Sequence, residues 1–419
     1  MASPLLRTPL PLAGFLALAV AMGIGRFAFT PILPMMQVDQ GISLSQGGWL
    51  ASANYLGYLL GALFVTRLSW TPARLLQSGM WLVVLSTAAM GLDSHWLGWL
   101  AWRLLAGVAS AFVLIGVAAL GLARLAAQGR PHLGGVMFSG VGFGIMFAGL
   151  ACMVLIMLGA SSSAAWLWQA AAALVALAGA SSMWHEDLRR TAPAATHRPA
   201  SGVRKAACTP GNHAALSAAD RPVSLHWGLI LCYGVFGFGY ILPATFLPAQ
   251  AREMVPDPWL FSLAWPVLGL ASALATLLVS FVLIRRYTRT QIWAASHGVM
   301  ALGLILPIFW HTLTPILIAA CCIGSTFVVI TMVGFQEAQA IVDRGIVKQQ
   351  MAAMTASFAV GQLAGPLFFS LTHEWLGAPL EFSLAVGAAS LVAGTVPILR
   401  LQQSPGPTGT PPPKDQSAR

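Results

Sequence analysis

Arg26 is the residue with the most chemistry to account for. It stands mid-way along residues 11–34, a run whose other members are apolar or small apart from Thr30. A central Arg in an apolar helix costs roughly 2.5–3.5 kcal/mol on insertion scales, and more on an isolated helix. No Asp or Glu lies in the interior of any comparable run, so no carboxylate is at hand to neutralise it. The guanidinium therefore needs carbonyls, hydroxyls, water or an anionic ligand, and its planar fork suits a carboxylate or phosphate. Gly23 and Thr30, at i−3 and i+4, share its helix face and keep the surroundings small. Ligand binding or coupling is one reading; a structural link between helices is the other.

The remaining polar side chains in apolar runs are few. Tyr240 shares a face with Tyr233 and Gly237, at i−7 and i−3, where two rings can stack on a ligand or pack in an interface. Asn54 and Tyr58 share another face, with Tyr55 beside them. A buried Asn serves as interhelical glue as readily as it lines a cavity. Gln362 sits in a Gly-rich segment where close packing lets a polar side chain face a pore. Arg103 shares a face with Gly107 and Ser110. His297 is the one histidine deep in a run and reads as structural. Glu337 stands at the end of a run and is expected to pair with a basic loop residue such as Arg344.

Twelve apolar runs must position these residues: 11–34, 46–66, 74–92, 96–122, 133–157, 164–184, 226–249, 258–284, 290–309, 312–335, 350–374 and 381–400. Each is long enough to cross a hydrocarbon core of about 30 Å as a helix. With the N-terminus on one side, the loops there take Arg7, Arg67, Arg74, Arg124, Arg130, six cations between Arg189 and Arg221, Arg285, Arg286, Arg289, Arg344, Lys348, Arg400, Lys414 and Arg419. That is nineteen of the 22 Lys and Arg, against Arg252 alone in the opposite loops. Basic residues in short loops mark the cytoplasmic side, so both termini are expected in the cytoplasm.

Composition agrees, with 57% hydrophobic and only 8% charged residues. The net charge of +10 then follows from loop bias and does not point to nucleic acid. Arg7 and the apolar run after it mimic a secretory signal with Ala17-Leu18-Ala19 as a cleavage site. Cleavage there would remove half of a run whose second half has a later counterpart, so that reading is rejected. Cys152, Cys232, Cys321 and Cys322 fall in runs and Cys208 in a loop, with no zinc or disulfide spacing. The glycines at 134, 135, 140, 142 and 144 have no preceding strand and no following Lys-Ser/Thr, so they form no phosphate cradle. HExxH and GxSxG are absent as well. No enzyme, cofactor or metal is expected.

The chain also repeats itself. At a shift of 214 residues, Gly14, Gly23, Gly25, Leu33 and Pro34 meet Gly228, Gly237, Gly239, Leu247 and Pro248, and Arg26 meets Tyr240. At 215, Ser110, Phe112 and Val113 meet Ser325, Phe327 and Val328. At 210, Trp49, Leu50 and Ser52 meet Trp259, Leu260 and Ser262. Three ordered matches at nearly one offset predict a six-plus-six duplication: halves at 1–184 and 226–400, a flexible cytoplasmic linker at 185–225, and a disordered tail at 401–419.

Two parallel six-helix halves joined by a long linker resemble the major facilitator superfamily, whose halves are related by an axis along the membrane normal. The fourth run, Trp102-Arg103 through Ala106-Gly107 to Ala111, resembles the superfamily's fourth-helix motif, with Ala106 for the usual Gln. The resemblance implies a coupling or helix-contact role for Arg103. Gly140, Gly144 and Gly149 match the spacing of the antiporter-associated glycine motif, and Gly361-Gln362-Leu-Ala-Gly365-Pro366 is a fuller copy. Gly61 to Arg67 is similar to the motif between helices two and three but lacks its Asp, so the usual gating ion pair has no acidic member here. GIGRFAFTPILPMM with QGGWLASANYLGYLLGAL resembles the YbfB/YjiJ-type branch, which implies no particular substrate.

The expectation is an all-α membrane protein of twelve helices in two pseudo-symmetric halves, working as a secondary active transporter by alternating access. Its small organic solute would carry an anionic group held by Arg26, within a site of Arg26, Thr30, Asn54, Tyr55, Tyr58, Tyr233, Tyr240 and Gln362. Arg103, Glu337 and His297 are candidates for coupling or gating. Gly23, Gly25, Gly140, Gly144, Gly361 and Gly365 would pack helices. A proton-driven exporter of hydrophobic or cationic compounds is the rival within transport, though it wants an intramembrane carboxylate. A transporter-like receptor or sensor is the rival outside it. The expected partners are the solute, the lipid bilayer and, as candidate coupling ion, the proton; the expected state is a monomer in a plasma membrane, the bacterial inner membrane.

Overall fold

A computed structural model describes residues 8–191, 225–254, 258–310, 312–343 and 345–403. Among them are twelve helices long and apolar enough to cross a membrane: α1 (Leu10–Asp39), α2 (Gln46–Arg67), α3 (Pro72–Leu92), α4 (Trp96–Ala127), α5 (Pro131–Met157), α6 (Ser162–His185), α7 (Trp227–Ala244), α8 (Trp265–Arg285), α9 (Arg289–Phe309), α10 (Thr314–Ile341), α11 (Val347–Leu376) and α12 (Leu380–Arg400). The protein is an integral membrane protein. Only helices satisfy all their backbone groups within one segment, so an apolar chain of this kind crosses lipid as helices.

Local signals set the helix ends. Ser43 with Gln46 and Thr288 with Gln291 form reciprocal capping boxes that start α2 and α9. Gly377, at φ +62°, stops α11: its N–H and that of Ala378 return to the carbonyls of His373 and Thr372. Helical winding runs on past the end of α6, over Ser182–Thr191, so the start of the expected linker is helical. The rest of that linker, 192–224, and the tail from 404 lie outside the described residues.

The pairings of the first six helices recur in the second six. Helix α1 packs on α5, α2 and α3 on α4, and α3 on α6; α7 packs on α11, α8 and α9 on α10, and α9 on α12. Two seams join the sets, α5 against α8 and α2 against α11. Helix directions alternate, so Arg67, Arg74, Arg124, Arg130, Arg285, Arg286, Arg289, Lys348 and Arg400 share one face, called here the basic face. Asp39, Asp93 and Glu374 lie on the other.

Glycine makes the close approaches possible. A Cβ on Gly23 would strike the backbone of Gly144, and one on Gly361 would strike the backbone of Gly234 and Phe238. On the other side of α5, Gly135, Gly142 and Gly149 recur every two turns against Ser280, Gly269 and Pro266 of α8.

Candidate functional site

The middle of α1 is not an ordinary α-helix. Residues Ala19–Phe27 wind as a π-helix between α-helical flanks. The wider turn shifts carbonyls out of the regular ladder, and buried carbonyls need donors. Helix α4 supplies them. Ser110 Oγ lies 2.8 Å from Ala21 O, and Arg103 donates from Nη1 to Gly25 O at 3.2 Å and from Nη2 to Arg26 O at 3.4 Å. Arg103 is therefore a buried brace behind the π stretch, with its guanidinium 4.5 Å from the Phe29 ring. Asn54 of α2 in turn donates to Arg103 O at 3.0 Å.

The braced turn presents Arg26 inward, with only 3% of it exposed. Its Nη2 donates to Gln362 Oε1 of α11, a bond that crosses from the first six helices to the second. The guanidinium carbon stands 4.1 Å from the ring centre of Tyr58, and Tyr55, Phe27 and Phe358 surround it at 5.5, 5.5 and 5.9 Å. Rings at such distances partly solvate a cation. Arg26 Nε and Nη1 have no hydrogen-bond partner among the described residues, and neither has Gln362 Nε2. Since the Gln362 carbonyl faces the guanidinium, its free end is the NH₂. Every unpartnered polar atom of this pair is thus a donor.

A cavity of about 20 Å³ adjoins Arg26, room for about one water. Phe27 and Tyr58 line it from the first half, and Tyr233, Tyr240, Phe327 and Phe358 from the second. Thr331 adds a hydroxyl. Tyr240 stacks on Phe327 at 5.2 Å and 23°, and on Phe358 at 6.1 Å and 29°.

The residues singled out in the sequence divide in three. Arg26, Tyr58, Tyr233 and Tyr240 line the cavity, and Gln362 and Tyr55 touch or flank Arg26. Asn54 and Arg103 stand behind it, while Thr30 is half-buried and outside the lining. His297 and Glu337 are elsewhere. His297 receives Trp293 Nε1–H on Nε2 at 3.0 Å, and its Nδ1 is 3.2 Å from Leu391 O, the bonding of a neutral imidazole tying α9 to α12. Glu337 pairs with Arg289 at 2.7 Å, at the basic end of α9; Arg344 lies outside the described residues. All six chosen glycines meet a neighbouring helix: Gly23 and Gly144 each other, Gly140 Phe15, Gly25 Val83, Gly361 Gly234, and Gly365 Ile241.

Sequence reading passed over Phe27, Phe327, Phe358 and Thr331, because twenty phenylalanines in apolar runs look alike. It also passed over Lys348. That side chain, on the second half, donates from Nζ to Leu68 O at 2.8 Å and Trp70 O at 3.1 Å, just past the end of α2. The motif lacking its Asp is therefore held by a cation from the opposite half, placed at the negative end of a helix dipole. Across the other seam on the same face, Ser280 Oγ of α8 donates to His132 O and accepts from Gly135 N–H at 3.1 Å. Both seams are closed at the basic face.

Comparison with known proteins agrees with this arrangement. No curated protein matches the chain. Among solved structures, the human organic anion transporter MFSD10 (TETRAN) superposes with a TM-score of 0.64 at 14% identity, covering 95% of this chain and 100% of its own. A likeness at that identity speaks for the fold, the twelve-helix major facilitator fold. The family model described as an uncharacterised MFS-type transporter, YbfB, matches residues 18–399. With the match running from the π stretch of α1 to the end of α12, this chain belongs to the YbfB family of major facilitator transporters.

Proposed function

We propose that the protein is a secondary active transporter of a small organic solute bearing an anionic group, that it works by alternating access, and that Arg26 is the group that meets the anion. One observation carries this. A guanidinium buried at the seam between the halves keeps two nitrogens without partners, and every described Asp and Glu lies outside the spans or within about one turn of a span's end. Burying an unpaired charge is expensive, and an arriving carboxylate relieves that cost. The weight rests on Arg26, not on the activity of a relative at 14% identity. The bond from Arg26 to Gln362 spans the two halves, so a ligand that competes for the guanidinium acts on one of the contacts between them. The basic face is taken as cytoplasmic, from the nine described cations that share it.

Counterflow in proteoliposomes tests the reading. Wild-type protein should exchange a labelled organic anion for the unlabelled one, and Arg26→Ala should not. A sensor would bind and show no flux. Protons, where used, have no carboxylate at the centre to ride on. Replacing both His297 and Glu337 by Gln should keep exchange within roughly threefold of wild type, under 1 kcal/mol in barrier. Loss of exchange in a folded double variant would put one of them in the binding site.

A further inference from the structure

Resting on that reading, we infer that the solute is a monoanion with a flat apolar body, an aryl or arylalkyl monocarboxylate, and not a dicarboxylate, amino acid or amine. Charge decides the first part. Deep in the described spans the cations are Arg26 and Arg103, and both terminal nitrogens of Arg103 are held by the carbonyls of Gly25 and Arg26. His297 is bonded as a neutral ring and is no part of the cavity. One uncommitted guanidinium balances one negative charge. A second carboxylate would be buried without a partner, and so would an ammonium, since the cavity lining holds no acid.

The walls decide the second part. Six aromatic rings line the cavity, and three of them, Phe327, Tyr240 and Phe358, lie within 29° of parallel at each contact. Such rings offer flat faces to a planar ligand and few partners to a hydroxylated one. The only side-chain hydroxyls in the lining belong to Tyr58, Tyr233, Tyr240 and Thr331, so a heavily hydroxylated, sugar-like body would lose more hydrogen bonds to water than it regains. The cavity as it stands holds about one water. The rings come from both halves, so parting the halves widens the slot between them while Arg26 stays at its edge.

Isothermal titration of the purified full-length protein tests the class with four probes that differ in charge and ring: 3-phenylpropionate, phenylalanine, phenethylamine and succinate. Phenylpropionate should bind saturably, and at least fivefold more tightly than each of the others. Arg26→Ala should abolish that binding. Tyr240→Leu, which keeps apolar bulk but removes a flat face, should weaken it at least fivefold, and Phe327→Leu serves where the first variant does not fold. Tyr240→Phe should change it less than twofold. Succinate or phenylalanine binding within fivefold of phenylpropionate, still lost in Arg26→Ala, would overturn the class and leave the anion reading standing. So would leucine variants that bind as wild type. Tightest binding of phenethylamine, binding indifferent to Arg26→Ala, or no anion bound at all would overturn both.

Discussion

At residues 23–26 the first half reads Gly-Ile-Gly-Arg, and at 237–240 the second reads Gly-Phe-Gly-Tyr, yet the two backbones differ. The first winds as a π-helix and the second as an ordinary α-helix. The neighbours explain why. In α4, Arg103 donates to two α1 carbonyls, and the Ser110 hydroxyl lies 2.8 Å from Ala21 O of α1 as well as 2.8 Å from Ala106 O of its own helix. Their repeat partners in α10 are Ile318, which is exposed, and Ser325, whose hydroxyl returns to Cys322 O of its own helix at 3.1 Å. Without donors from outside, α7 keeps its own ladder. The glycines do the same work in both halves: Gly23 meets Gly144, and Gly237 meets the backbone of Phe358. The two halves thus share the close packing and divide the chemistry, with the charge in the first half and four of the six cavity rings in the second.

The sharpest way to break this comparison is to exchange the burden of Arg26 and Tyr240. Arg26→Ala should lower exchange by a factor on the order of a hundred or more, the scale of losing a buried charge-assisted contact. Its melting temperature should stay near wild type. Arg26→Lys should keep residual flux at weaker affinity, since Lys has the charge without the fork. Tyr240→Ala should cost roughly tenfold. The opposite ranking in a flux assay would end the division of labour.

Next in size is the brace. Ser110→Ala should destabilise by about 1–3 kcal/mol, because a buried carbonyl of the π stretch loses a donor. Ser325→Ala should stay within about 0.5 kcal/mol. Thermal melts of the pair check it, and equal shifts would mean that the π winding does not depend on Ser110 and rests on Arg103 alone.

Lys348 sharpens the comparison from the other side, as a charge of the second half seated on the first. Lys348→Met should loosen closure of the basic face, with charged hydrogen bonds of about 1.5–3 kcal/mol discounted for partial exposure. A cysteine at Val141, in a background without native cysteines, should then react at least roughly threefold faster with an impermeant thiol reagent from that face. An unchanged rate would leave closure to the α5–α8 seam.

The smallest effect concerns Asp93, in the loop between α3 and α4. The backbone N–H of His95 holds its carboxyl below the ordinary value of 3.8, and the Trp102 indole N–H, at 3.0 Å, adds to this. A depressed folded value means the contribution is present above the unfolded value and lost as pH falls through the folded one. Asp93→Asn should therefore flatten the loss of melting temperature below about pH 4. The matching loop of the second half, residues 310–312, has no acid, so no such limb should arise there.

Much of this was written in the sequence. Apolar length dictates helices, because backbone groups in lipid have no other partner, and a charge that cannot be solvated there announces itself. Arg26, Gln362 and Tyr240 are visible on those grounds. The repeat exposed the two halves for a similar reason: glycines that must admit a neighbouring backbone tolerate no Cβ and stay recognisable across a duplication. Tertiary structure decided what depends on direction and on partners far along the chain. Asn54 read from spacing either as interhelical glue or as a cavity residue, and the structure has it donating to Arg103 O, since a helix face is legible from spacing while the helix it meets is not. Phe327 and Phe358 became walls of the cavity only because α10 and α11 bring them to Tyr240. Lys348 reads as one loop cation among many until α11 docks on α2. The π winding of α1 comes from α4, some eighty residues later in the chain, and no local signal in Ala19–Phe27 could announce donors that arrive from another helix.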